Sequence, residues 1–114
     1  MKFLLAAALF FPIPTLANTT VSGISAGAFM ATQLQIAFSD RIQGMGSLAG
    51  GPYWCAQGGS SLYSCLLQPD QVDLQVLWDR VAEEERQGKI ASTNSLRNAR
   101  IYIFQSKADT VVKP

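Results

Sequence analysis

The chain has 114 residues, of which nine are basic and eight acidic, and it contains no histidine. Such a balanced charge provides no basic surface for nucleic acids or anionic lipids, so neither is expected as a partner. A chain of this length supports one small domain at most.

The first seventeen residues have the pattern of a secretory signal peptide. Lys2 precedes an apolar run at residues 3–11, prolines interrupt the run, and small residues at positions 15–17 suit a cleavage site. The run is too short to span a bilayer, so we expect no membrane anchor. We therefore predict a secreted protein, extracellular or periplasmic, whose mature chain is residues 18–114.

A G-x-S-x-G box, Gly23-Ile24-Ser25-Ala26-Gly27, follows a β-prone stretch at residues 19–22 and opens a helical apolar pattern at residues 26–38. In a nucleophile elbow, a strand turns sharply into a helix and exposes the serine side chain above the sheet. A side chain at either glycine is expected to clash where strand and helix approach. Ser25 is the candidate nucleophile and the amide of Ala26 a candidate oxyanion donor. The alternative is a serine that only caps the helix.

A second strand is predicted at residues 42–48, and it runs into a turn at residues 49–52. A loop rich in glycine and serine follows at residues 53–67 and contains Cys55 and Cys65, the two cysteines of the chain. An even count in an exported protein favours a disulfide, with two free thiols or a metal pair as alternatives. We expect no metal site, because too few ligands accompany the cysteines.

Asp70 or Asp73 is predicted to cap the next helix, and Gly88 to end it. One apolar stripe of this helix comprises Leu74, Leu77, Trp78 and Val81. The acidic run at residues 83–86 is interpreted as a solvated face. A third strand is predicted at residues 99–104, with Asp109 in the loop that follows it. Asp109 is a candidate triad carboxylate, and the alternative is an aspartate that serves the loop turn alone.

Alternating strands and helices predict an α/β fold in which flanking helices cover a parallel sheet. Catalytic groups of such sheets lie at the carboxyl ends of the strands, where Ser25 and Asp109 both fall. We predict a partial α/β-hydrolase domain at residues 18–114, since the complete core needs roughly twice as many residues. The histidine of a Ser-Asp-His triad is expected beyond Pro114.

Three segments together resemble the extracellular poly(3-hydroxybutyrate) depolymerases. They are V-S-G-I-S-A-G-A-F-M-A at residues 21–31, A-G-G-P-Y at 49–53 with the two cysteines after it, and I-Y-I-F at 101–104 leading to A-D-T-V-V at 108–112. The resemblance implies Ser25 as nucleophile, Asp109 as triad carboxylate, Ala26 as oxyanion donor, and a disulfide between Cys55 and Cys65. Some members have a circularly permuted fold that begins with the serine box. Two departures are the missing histidine segment and Ser106, where related loops often have glycine.

The implied reaction is hydrolysis of ester bonds in a water-insoluble polyester, without metal or organic cofactor. Tyr53 and Trp54 either line an apolar acyl pocket or pack over the disulfide, and the second is favoured. The chain alone is expected to be inactive, and its oligomeric state is left open. Two alternatives remain: a secreted carboxylesterase of feruloyl type, and a non-catalytic exported protein.

Overall fold

The computed structural model describes residues 18–59 and 61–114, so the predicted signal peptide at residues 1–17 lies outside the described residues. The described part contains a small sheet and three α-helices, joined by loops with short 3₁₀ turns. The strands are β1 (Thr19–Ile24), β2 (Ile42–Leu48) and β3 (Arg100–Phe104), and the helices are α1 (Ala26–Ala37), α2 (Leu62–Leu67) and α3 (Leu74–Arg86).

The three strands form one parallel sheet in the order β1-β2-β3. Their last residues are in register, with Ile24 beside Leu48 and Leu48 beside Phe104. The loops that carry Ser25 and Asp109 therefore both leave the carboxyl edge of the sheet. The predicted α/β class, with a parallel sheet and flanking helices, is confirmed.

The predicted elements are found with small differences at their ends. The bounds of β2 are those predicted, β1 runs two residues further than expected, and α1 ends one residue earlier. Asp73 caps α3, because its carboxylate accepts hydrogen bonds from the amides of Gln75 (2.9 Å) and Val76 (3.4 Å). The short helix α2, inside the predicted loop, was not anticipated.

Small residues let α1 lie close to β1 and β2. Ala28 and Ala31 are buried on its inner face, where a larger side chain would hold the helix away from the sheet. Gln35 is also buried there, and its Nε2 donates a hydrogen bond of 2.9 Å to the carbonyl of Ile42 at the start of β2. The inner face of α1 is therefore fixed against the sheet by both packing and a polar contact.

The disulfide loop packs between α1 and α3. Cys55, Cys65 and Leu77 form a buried cluster, against which Phe29 and Trp54 lie partly buried. The predicted stripe of α3 is only half buried, because Leu77 and Val81 are buried whereas Leu74 and Trp78 are each 68% exposed. The apolar stripe therefore contributes its second and fourth members to the core, whereas its first and third members remain exposed.

The acidic run of α3 is not a uniformly solvated face, as was expected. Glu83 and Arg86 do form an exposed ion pair. Glu84 is only 7% exposed, and its carboxylate binds the guanidinium of Arg80 (Nη2 to Oε1, 2.6 Å) and accepts a hydrogen bond from the hydroxyl of Tyr53 (2.5 Å). The interpretation was wrong for Glu84 because helical spacing turns it toward the disulfide loop.

Candidate active site

Ser25 occupies the turn between β1 and α1 and has a left-handed backbone with φ of 55° and ψ of −124°. Such a conformation is unfavourable for a residue with a side chain and persists only where its surroundings enforce it. The amide of Ser25 donates to the carbonyl of Leu48 (2.9 Å), and its carbonyl accepts from the amides of Ala28 (2.9 Å) and Phe29 (3.1 Å). Sheet and helix together hold the strained turn.

The side chain of Ser25 does not cap α1. It stands at the N-cap position, yet its hydroxyl makes no hydrogen bond to the amides of the first turn, and the residue is exposed. The alternative of a serine that only caps the helix is therefore wrong. Ser25 directly follows the last residue of β1, at the carboxyl edge of the sheet.

The two glycines of the box differ in what they contribute. A Cβ on Gly23 would lie 2.3 Å from the carbonyl carbon and oxygen of Gly27 and 2.8 Å from the amide nitrogen of Ala28. A Cβ on Gly27 would meet no atom of the described residues within 4 Å. The predicted clash is confirmed for Gly23 and is wrong for Gly27, because the close approach is made by the backbone of the helix to the strand glycine alone.

An open cleft of about 470 Å³ begins at Ser25. Its walls come from α1, the disulfide loop, α2 and the loop after β3, and they are mostly apolar. The walls of the cleft include Ala26, Phe29, Gln33, Trp54, Val111 and Val112. Ala26 is the first residue of α1, where amides have no acceptor within the helix, so its N–H is available to a group bound beside Ser25.

Asp109 lies in a tight turn five residues after β3. Its Oδ1 accepts hydrogen bonds of 2.9 Å from the amides of both Val111 and Val112. The hydrogen bond from Val112 and, to a smaller extent, the one from Val111 hold the pKa of the Asp109 carboxyl below its usual range. The carboxyl is therefore ionised at neutral pH. The turn thereby brings Val111 and Val112 into the cleft that contains Ser25.

Ser106 does not strain this turn. Its hydroxyl accepts a hydrogen bond from the amide of Ala108 (3.2 Å), and its carbonyl accepts one from the amide of Asp109 (3.2 Å). Its φ is not positive, so a serine in place of the glycine of related loops has no backbone cost.

Tyr53 and Trp54 have separate environments. Trp54 packs against the disulfide cluster, as the sequence analysis favoured, and it also lines the cleft. Tyr53 lies away from the cleft, with its hydroxyl on Glu84. Burial, and then the hydrogen bond to Glu84, raise the pKa of Tyr53 to about 12.

Gln33 is a cleft residue that the sequence analysis missed. Its Oε1 accepts a hydrogen bond from the amide of Trp54 (3.0 Å), which joins α1 to the disulfide loop. The spacing of Ser25, Phe29 and Gln33, four residues apart along one face of α1, is the signal that could have indicated it.

Cys55 and Cys65 form a disulfide, with their Cα atoms 5.6 Å apart, as the sequence analysis favoured. Among residues 18–59 and 61–114, no three His, Cys, Asp or Glu side chains are grouped so that they could hold a metal ion. Within the same ranges, no helix is both long and apolar enough to cross a lipid bilayer.

Three curated proteins with similar sequences are each described as a depolymerase. The chain is 38% identical over 99 residues to "Poly(3-hydroxybutyrate) depolymerase" of Delftia acidovorans, which covers 84% of this chain and 20% of that protein. It is 33% identical to "Polyhydroxybutyrate depolymerase" of Talaromyces funiculosus, over 85% of this chain and 28% of that protein. It is 32% identical to "Poly(3-hydroxyalkanoate) depolymerase C" of Paucimonas lemoignei, over 82% of this chain and 21% of that protein.

The chain thus spans between a fifth and somewhat more than a quarter of the length of these relatives. No protein-family profile matches it. No solved structure matches it either.

Proposed function

We infer that this chain, a relative of the poly(3-hydroxybutyrate) depolymerases, is part of a secreted serine esterase whose nucleophile is Ser25. The substrate class is a poly(3-hydroxybutyrate)-type polyester. The observation that carries the proposal is the left-handed backbone of Ser25 between β1 and α1, in an exposed residue whose side chain does not cap the helix. Strain of this kind is retained where it serves to present a side chain.

In the proposed reaction, the Oγ of Ser25 attacks the ester carbonyl carbon while its proton passes to a histidine base. The tetrahedral intermediate then releases the alcohol, which takes the proton back from the base, and an acyl-enzyme remains. Water, deprotonated by the same base, attacks the acyl carbon; the acyl–Oγ bond then breaks, the base returns the proton to the Oγ of Ser25, and a 3-hydroxy acid or oligomer is released. The histidine is proposed to come from polypeptide outside these 114 residues, since they contain none.

Two further groups are proposed to act beside Ser25. The N–H of Ala26, at the start of α1, would donate to the negative charge that develops on the carbonyl oxygen. Asp109 would orient the histidine and stabilise its protonated form, which requires an ionised carboxylate. The lowered pKa of Asp109 supports this role.

The cleft supports an apolar acyl group as substrate. Phe29, Trp54, Val111 and Val112 offer hydrocarbon and ring surface next to Ser25, and these surfaces suit the methyl and methylene groups of a 3-hydroxybutyrate unit. The cleft is also open, which suits entry of a polymer segment rather than full enclosure of a small molecule.

The test begins by reading the coding sequence beyond codon 114 and expressing the whole product. We expect hydrolysis of p-nitrophenyl butyrate and of poly(3-hydroxybutyrate) granules, and a fall of about 10⁶-fold in kcat for Ser25→Ala. Ser22→Ala, at an exposed position of the same strand, is the matched control and should retain activity.

Three results would contradict the proposal. Unchanged turnover in Ser25→Ala would exclude this serine as nucleophile. Activity on feruloyl esters without activity on the polyester would favour the carboxylesterase alternative. A stop codon directly after Pro114 would favour the non-catalytic alternative.

Asp109 is tested by its replacement with asparagine, Asp109→Asn. The Oδ1 of the asparagine side chain can still accept from the amides of Val111 and Val112, so the turn is kept while the charge is lost. We expect kcat to fall by about 10⁴-fold. Asp40→Asn, an exposed carboxylate at the end of α1, is the control and should leave kcat unchanged. Equal kcat values for Asp109→Asn and Asp40→Asn would exclude Asp109 as the triad carboxylate.

A further inference from the structure

One buried carboxylate ties Tyr53 and Trp54 of the disulfide loop to α3. Glu84 accepts the hydroxyl of Tyr53 on one oxygen (2.5 Å) and holds the guanidinium of Arg80 on the other (2.6 Å). Arg80 in turn lies over the ring of Trp54, with its Cζ 4.6 Å from the ring centroid. Glu84 therefore orients the cation that lies on Trp54.

The backbone of Trp54 is held as firmly as its ring. Its φ is 57°, in the left-handed region, and its amide donates to the Oε1 of Gln33 on α1 (3.0 Å). The next residue, Cys55, is fixed by the disulfide. Left-handed backbone at a residue with a large side chain is strained, and strain of this kind concentrates at ligand sites. Ser25, Trp54 and Gln57 all have a positive φ and line the same cleft.

The Trp54 ring is in contact with both the cleft and Arg80. Trp54 belongs to the cleft wall, whereas Arg80 does not, so the cation supports the ring from outside the cleft. An indole ring offers a wide apolar surface with few rotatable bonds, and a guanidinium on its face restricts it further. These features describe a rigid platform for hydrocarbon beside the proposed nucleophile.

We propose that Trp54 contacts the hydrocarbon part of the substrate's acyl group and that Arg80, oriented by Glu84, is the positioning residue for its ring. This assignment rests on the proposed ester hydrolysis at Ser25. Trp54 is then the part of the cleft wall that recognises the acyl group, and Arg80 holds this part of the wall in place.

The first measurement is binding of a soluble trimer of 3-hydroxybutyrate to the whole gene product carrying Ser25→Ala, which prevents turnover. Equilibrium dialysis gives the affinity for each variant. Trp54→Leu should weaken binding about tenfold, because it removes the ring surface. Trp78→Leu is the matched control: Trp78 is 68% exposed on α3, outside the cleft, and its replacement should leave the affinity unchanged.

The second measurement separates positioning from a purely structural role. Arg80→Met, which keeps the length of the side chain but not its charge, should weaken binding about fivefold, and Arg80→Lys should restore most of the affinity. The indole N–H NMR signal of Trp54, assigned by its absence in Trp54→Leu, should shift with Arg80→Met and return with Arg80→Lys. If Arg80→Met does not fold by circular dichroism, Glu84→Gln replaces it, since it removes the charge that orients Arg80 and keeps an acceptor for Tyr53.

Equal affinity in Trp54→Leu and its parent would overturn the assignment of Trp54. Loss of affinity in Arg80→Met that Arg80→Lys does not restore would overturn the positioning role. Absence of trimer binding to the parent would also overturn the inference. The proposed function is judged separately by hydrolysis in the Ser25 assay, so its failure is distinguishable from these results.

Discussion

Gly23→Ala is expected to be the most damaging single-methyl change at the turn before α1. The new Cβ would lie 2.3 Å from the carbonyl carbon and oxygen of Gly27, whereas carbon atoms in contact are normally about 3.5–4.0 Å apart. The opposing atoms are backbone, so they cannot rotate away as a side chain would. Relief requires α1 to move off β1, where Ala28 is fully buried. We expect a loss of about 3 kcal/mol or more in the free energy of unfolding.

Gly27→Ala is the matched control, with the opposite expected sign. Its Cβ would meet no atom of the described residues within 4 Å, and the residue lies in the first turn of α1. Replacing a helical glycine by alanine stabilises by up to about 1 kcal/mol. Urea unfolding of the disulfide-bonded chain, followed by circular dichroism, measures both. Similar urea midpoints for Gly23→Ala and the parent chain would refute the packing argument. A loss of unfolding free energy in Gly27→Ala as large as that in Gly23→Ala would refute it as well.

Asp73→Ala should lower the free energy of unfolding by about 1 kcal/mol, because α3 loses its N-cap, and the same urea assay measures this. Replacing both Cys55 and Cys65 by serine should cost about 3 kcal/mol, and an unchanged urea midpoint would contradict this estimate. The pKa of Tyr53 is raised to about 12, above its usual value near 10, so its contribution to stability is present below pH 10 and lost as the pH rises toward 12. Tyr53→Phe should abolish this part of the pH dependence of the urea midpoint, and persistence of the same alkaline loss would assign it to another group.

The elements that could be predicted from sequence are those determined by local patterns. β2 was predicted with its observed bounds because apolar and small residues alternate at residues 42–48, between the helix end at residues 39–40 and the breakers at residues 49–52. α1 was predicted to within one residue from its apolar spacing. Ser25 was singled out as the candidate nucleophile because it stands in a G-x-S-x-G box, and the first glycine of this box, Gly23, leaves room for the helix at the turn.

The features that could not be predicted depend on contacts between distant segments. Glu84 looked solvated because its neighbours are charged, and its burial depends on Tyr53, which lies 31 residues earlier in the chain. Leu74 and Trp78 fit the helical stripe, yet the disulfide loop packs only against the part of the stripe near Leu77. A helical pattern indicates a face, and it does not tell how far along that face the partner extends.

The candidate site depends on two different levels of organisation. Hydrogen bonds continue past the strand ends, from the amide of Ser25 to Leu48 and from the amide of Ala49 to Phe104, so the sheet fixes where the serine turn and the aspartate loop begin. The cleft between them also needs Trp54, and the position of this residue is determined by the disulfide, Gln33 and Arg80 rather than by the sheet. Changes in the Arg80–Glu84 pair should therefore alter the cleft while leaving the Ser25 turn intact, because the backbone hydrogen bonds that hold this turn run to β2 and within α1.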